Sequence, residues 1–144
     1  MSADAAWPRV GCDAAILKGD QLLLVCRRWG PPGGKVDAFE TVVDATAREI
    51  REELGILITP GELLCVVDQI DRAEGHHWVA PIFRISHFEG APAIMEPDAL
   101  SDWGWFEVDA LPDALTQATK QAVQRCGRRT RGAGLLRAAD SPLV

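Results

Sequence analysis

Between Thr41 and Gly55 the apolar positions recur with a helix's period. Val43, Ala47, Ile50 and Leu54 fall on one stripe, which is expected to be the buried face. Thr41 is a good N-cap, with Asp44 placing an acid near the positive helix end. Gly55 can turn left-handed and end the helix. Elsewhere the pattern is strand-like. Residues 10–17 and 21–27 read as two strands, joined through Lys18-Gly19-Asp20 as a hairpin. A turn at Pro60-Gly61 precedes a strand at 63–70. Residues 77–88 read as a central strand in which Pro81 demands a bulge or an edge. A loop with two prolines, 90–102, leads to a short strand at 103–108, and Asp113 caps a last helix running to Arg125. Strands and two helices interleaved in this order predict an α/β sandwich around a mixed sheet.

Composition bounds the picture. With 144 residues, 47% hydrophobic and 25% charged, the chain reads as one globular domain, residues 1–144, its core at about 9–126. No run of 18 apolar residues marks a membrane span, and the first residues lack the pattern of a secretory signal. Cys12, Cys26, Cys65 and Cys126 have no metal-site spacing, and the three in apolar strand-like runs read as small buried residues, which fits a reducing cytoplasm. The net charge of −6 is uneven: residues 1–117 hold 9 basic against 20 acidic residues, and 118–144 hold 6 against 1. An acidic body argues against nucleic acid as partner. The stretch 127–144 reads as a solvated basic tail.

The candidate chemistry lies on the 41–55 helix. Glu49, Glu52 and Glu53 stand at i, i+3 and i+4, on a stripe well away from the apolar one. Three glutamates alone usually mean a solvated face. Here their neighbours count. Mutual repulsion disfavours the cluster unless a cation joins it, and carboxylate oxygens suit Mg2+ or Mn2+. Pro31-Pro32-Gly33-Gly34 gives a backbone that can approach a phosphate or metal closely. Arg48, one turn before Glu52, can hold that carboxylate.

The stretch from Gly34 to Ile56 resembles the Nudix box, Gly-x5-Glu-x7-Arg-Glu-U-x-Glu-Glu-x-Gly-U, where U is bulky and aliphatic. Gly34, Glu40, Arg48, Glu49, Ile50, Glu52, Glu53, Gly55 and Ile56 fill every specified place. The resemblance implies a Nudix-type α/β/α sandwich. It also implies hydrolysis of a nucleoside diphosphate linked to some group X, with Mg2+ or Mn2+ as cofactor. By position, Glu52 and Glu53 would be metal ligands, and Glu49 a ligand or the group that draws the proton from water. The carbonyl of Gly33 or Gly34 would complete the metal shell, Arg48 would orient the glutamates, and Glu40 would support them. Many members take a further acid from a later loop, for which Glu96 is the first candidate and Asp98 the second.

Arg27, Arg28 and Lys35 are candidates for substrate phosphates. Among Trp29, Trp78, Trp103 and Trp105, Trp105 is taken as the base contact, on the expectation that Trp103-Gly104-Trp105 turns one tryptophan to each side. Phe39 stands where the box usually has glycine, and Asp37 where glutamate is common. Leu115 and Thr116 occupy the neighbourhood where oxidised-guanine-cleaning members place asparagine. The Glu-Pro-Asp loop before a Trp-rich strand resembles small members acting on nucleoside triphosphates, so a (d)NTP giving (d)NMP and pyrophosphate is the leading expectation. ADP-ribose or a nucleotide sugar is the alternative, disfavoured because only about nine residues precede the first strand. A nucleotide sensor without turnover is the alternative of another class. Monomer and homodimer both stay open.

Overall fold

The computed structural model describes residues 7–26 and 28–116, together with 119, 120 and 123. Its axis is β1 (Arg9–Lys18). On one edge β1 runs parallel to β7 (His76–Ile85), from Arg9 beside Trp78 to Ile16 beside Ile85, and β7 pairs antiparallel with β6 (Leu63–Asp71). On the other edge β1 pairs antiparallel with β4 (Gly33–Lys35) and then with β2 (Gln21–Cys26). β2 holds β3 (Trp29–Gly30) beside it and β9 (Asp102–Glu107) on its far edge. Parallel and antiparallel pairs in one sheet make it mixed, as the sequence predicts.

Side chains alternate across a strand, and that alternation builds two cores. Ala14, Ile16, Leu23 and Val25 pack against Ile50 and Leu54 of the helix α1 (Val42–Leu54), with Ile56 and Leu100. The intervening Ala15, Leu17, Leu22 and Leu24 pack with Leu64, Val67, Ala80 and Ile82 on the opposite face. Leu111 and Leu115 cover that second core, ahead of helical residues 119, 120 and 123. The result is the α/β/α sandwich. Ile50 and Leu54 are fully buried, and removing either to alanine would cost about 2–5 kcal/mol.

The helix starts and stops where its caps predict. Thr41 Oγ1 accepts the Asp44 N–H at 3.0 Å, and Gly55 adopts a φ of 69° while its N–H reaches the Arg51 carbonyl. Its buried face is turned from the expected stripe. Val43 is 43% exposed, whereas Thr46, Ile50, Glu53 and Leu54 are buried. The cause is packing on the glutamate flank, where Ala93 and Met95 donate to the Leu54 and Glu53 carbonyls.

Three further expectations are corrected. Pro81 lies in the central strand β7, neither at an edge nor in a bulge of its own strand; the bulge falls in the partner, between Leu63 and Cys65. The β1–β7 pairing passes over Gly11 and Cys12 opposite it, so the missing N–H falls in a gap of the ladder. The run 77–88 is not one strand, because β7 ends at Ile85 and Phe88–Glu89 (β8) pairs apart with Leu57–Ile58 (β5). Asp113 does not cap the last helix. Residues 114–116 are held beside β3 by the Trp29 N–H to Ala114 and the Thr116 N–H to Trp29. Thr116 Oγ1 then takes the Thr119 N–H, and the Lys120 N–H reaches the Thr116 carbonyl, so the helical bonds begin at Thr116. The remainder of the expected helix to Arg125, and the tail at 127–144, lie mostly or wholly outside the described residues.

Candidate active site

Pro31 and Pro32 deliver Gly33 and Gly34 into β4, beside Asp13 and Cys12 of β1. The Gly33 N–H donates to Glu53 Oε1 at 2.9 Å. A Cβ on Gly33 would strike the Cys12 carbonyl and the Asp13 carboxylate, and one on Gly34 would strike the Glu49 carboxylate. Close approach of the Cys12 carbonyl and Asp13 at Gly33, and of Glu49 at Gly34, rather than an unusual φ, is what requires glycine at both places.

Arg48 organises the glutamates. Its Nε and Nη2 donate to Glu40 at 2.7 and 2.9 Å, a bidentate pair. Its Nη1 reaches Glu49 at 3.0 Å and Glu52 at 3.2 Å, and Nη2 also donates to the Lys35 carbonyl. The pull of Arg48, with the Asp37 N–H, holds the Glu40 carboxyl down at about 2. Glu53 has the opposite setting. Burial first, then Glu49, Glu96 and Asp13, push its pKa up to about 8 against the Gly33 hydrogen bond. Burial likewise raises Glu49, opposed by Arg48 and assisted by Glu52 and Glu96. Asp13, half-buried on β1, is raised to about 7 by burial.

The structure brings Glu96 to this cluster, near enough to press on both Glu49 and Glu53. The Met95 N–H on the Glu53 carbonyl anchors its loop. Asp98 is exposed and is not among the groups that shift those two carboxyls. Arg28 lines a cleft of about 340 Å3 with Asp13, Gly33, Gly34, Glu53 and Thr116. Lys35 lines its continuation, where Gln69 and Trp78 form the wall. Arg27 lies outside the described residues. Trp105 lines neither part of the cleft; it stacks on Phe88 at 6.0 Å and shares one core with Trp103. Residues two apart share a face, so the expectation that Trp103 and Trp105 point to opposite sides fails on strand geometry.

Sequence reading missed Asp13 and Gln69, and it passed over Trp78 in favour of Trp105. Parity was their signal. Gly11 and Asp13 continue the face of Ala15 and Leu17, so Asp13 is a charge placed at a core position of its strand. Among the described residues no three acids, histidines or cysteines form a ready-made cation site. Glu49 and Glu52 lean on Arg48, and Glu53 on Gly33. Still, the donors are hard oxygens, and burial raises the pKa of Glu49, Glu53 and Asp13 alike. Such a set is short of positive charge and suits a hard divalent ion.

A mixed-sheet sandwich whose helix sets Arg48, Glu49, Glu52 and Glu53 against a Gly-Gly strand has the Nudix arrangement. The NUDIX domain model matches residues 7–126, and the chain belongs to that family. It is similar to the crystal structure of a MutT NUDIX hydrolase from Burkholderia pseudomallei: 48% identity and a TM-score of 0.80, over 83% of this chain and 98% of that one. An ADP-ribose pyrophosphatase from Methanocaldococcus jannaschii is 31% identical over 112 residues, 73% of this chain and 65% of that protein. An NAD-capped RNA hydrolase from Stutzerimonas stutzeri is 29% identical over 116 residues, 74% and 40% respectively. The chain thus spans less than two thirds of the length of these two relatives. No helix among the described residues is long and apolar enough to cross a membrane.

Proposed function

We propose that the chain is a divalent-cation-dependent hydrolase of nucleoside diphosphate derivatives, converting a (d)NTP to (d)NMP and pyrophosphate. The observation that carries this is the contact of Glu53 and Glu49 with the Gly33–Gly34 backbone at the floor of a cleft edged by Arg28. Glu49, Glu52 and Glu53, with the Gly33 or Gly34 carbonyl, would hold Mg2+ or Mn2+. Such a cation, when bound, offsets charge on phosphoryl oxygens and lowers the pKa of water. The chain supplies the rest. Arg48, itself fixed by Glu40, holds Glu49 and Glu52 in orientation. Glu49 or Glu96 takes the proton from the attacking water. Arg28 faces the phosphates in the cleft, and a wall including Gln69 and Trp78 receives the nucleoside. A reducing, cytoplasmic setting fits the free Cys12, Cys26 and Cys65.

The test is a screen of nucleotides with Mg2+ or Mn2+, reading product release. At least one NTP or dNTP is expected to exceed ADP-ribose about tenfold in kcat/KM, equivalent to about 1.4 kcal/mol of transition-state binding. Glu52→Gln should remove several powers of ten of kcat. The likeness to an ADP-ribose pyrophosphatase supports a second reading, in which ADP-ribose outruns every triphosphate. Nucleotide binding without turnover in either metal would overturn both readings in favour of a sensor.

A further inference from the structure

Far from the acidic cleft, a second cavity of about 490 Å3 opens beside the β1–β2 hairpin. Lys18, Gly19, Arg84, Ser86, His87 and Phe88 line it, and no Asp or Glu does. In a body with 9 basic against 20 acidic residues, a wall of this composition is conspicuous. We propose that it is an anion site for a small phosphate-bearing molecule, independent of the reaction centre.

Three observations carry this. The first is register. The parallel β1–β7 pairing runs Ala14–Phe83, Ala15–Arg84, Ile16–Ile85, and continuing it brings Lys18 level with His87. The fold therefore gathers residues distant in sequence around one end of the sheet, Arg84 on the face of Ala15 and Leu17, Lys18 and His87 on the face of Ile16. From Asp13 to Lys18 is about 17 Å along an extended strand, so the two clefts are separate. The second is partnership. Neither Lys18 nor Arg84 has an ion pair among the described residues, although acids abound. Arg84 Nε is the one buried side-chain nitrogen or oxygen among them without a hydrogen-bond partner. That nitrogen is shut off from solvent, so a phosphate would meet the rest of the guanidinium with charge-assisted hydrogen bonds, and not Nε itself. The third is the aromatic floor. Lys18 Nζ stands 5.7 Å from the Trp105 ring centroid, and Trp105 stacks on Phe88. The ammonium is thus held over an aromatic face rather than against a carboxylate.

The test is a titration of 15N-labelled protein with inorganic pyrophosphate, and separately with AMP, in EDTA and at constant ionic strength set with chloride. Removing divalent cations weakens phosphate binding at the acidic cleft and leaves this site as it is. Saturable shifts are expected at the amides of Lys18, Gly19, Ser86, His87 and Phe88. In the exposed double variant Lys18→Gln/His87→Gln, affinity should fall by at least about tenfold while the spectrum stays folded. Arg84→Lys, which keeps the charge and loses the planar guanidinium fork, should also weaken binding. Tighter pyrophosphate would assign the site to oligophosphate; tighter AMP would assign it to a monophosphate with its base over Phe88. Shifts confined to Gly33 and Gly34, equal shifts with chloride alone, or unchanged affinity in the double variant would each overturn the proposal. Failure of every nucleotide to turn over would not bear on it.

Discussion

Replacing Glu53 by glutamine should stabilise the metal-free protein at pH 8 and change little at pH 5. Glu53 is 8% exposed, and its pKa rises from 4.5 to about 8 because burial, Glu49, Glu96 and Asp13 all oppose its charge. A carboxyl that holds its proton more tightly when folded gives its full stability below pH 4.5 and loses it as pH climbs through about 8. At about 1.4 kcal/mol per pH unit, that interval bounds the loss at about 5 kcal/mol. Glutamine keeps the acceptor for the Gly33 N–H but adds two N–H donors that need partners. We therefore expect a gain of about 2 kcal/mol at pH 8. Urea unfolding of both proteins in EDTA at the two pH values reads the difference directly. Mg2+ should then stabilise wild type more than the variant, since an ion that binds only the folded state adds stability by mass action. An equal difference between the proteins at pH 5 and pH 8 would refute the reasoning, because a group already neutral at both values cannot be relieved by neutralisation.

The other expectations are simpler. Phe39 is a non-glycine residue at φ 66° whose ring is wholly exposed, so Phe39→Gly should stabilise the fold by about 1 kcal/mol, read as a raised Tm. Glu96→Gln should lower kcat far more than it raises KM; the same pattern in Asp98→Asn instead would show that the wrong loop carboxylate was chosen. Arg48→Lys keeps one charge but cannot bridge Glu40 bidentately while reaching Glu49 and Glu52. It should cost at least about tenfold in kcat with unchanged secondary structure by circular dichroism.

What the sequence made legible was local. The Thr41 and Gly55 caps and the hairpin at Gly19-Asp20 depend on residues a few places apart, and the structure has them where short-range chemistry predicts. The Glu96 loop lies further off, and its place beside Glu49 and Glu53 depends on the Met95 bond to the Glu53 carbonyl rather than on short-range signals. Elements of two or three residues were not readable, since β3, β4, β5 and β8 owe their pairing to partners elsewhere in the chain. The tilt of α1 belongs to the same class. Val43 and Ala47 have the right period for a buried stripe, but the loop at 93–95 and β4 pull the opposite flank inward and bury Glu53 in their place.

The error over tryptophans has a different origin, and it points to how such clefts arise. A core face does not end where its apolar residues end. Along β7, Ile82 and Ala80 are buried and Trp78 follows on the same side; along β6, Val67 is followed by Gln69; along β1, Leu17 and Ala15 are followed by Asp13 and Gly11. Three neighbouring strands thus change character at the same level. The alternation that fills the core with aliphatic side chains lines the cleft next to it with an indole, an amide and a carboxylate. Trp103 and Trp105 lie on the other parity, against α1, and no choice of rotamer moves them across the sheet. The base contact should therefore be sought by strand parity rather than by proximity to a loop. By that criterion Trp78, not Trp105, is the ring that lines the cleft beside Gly11.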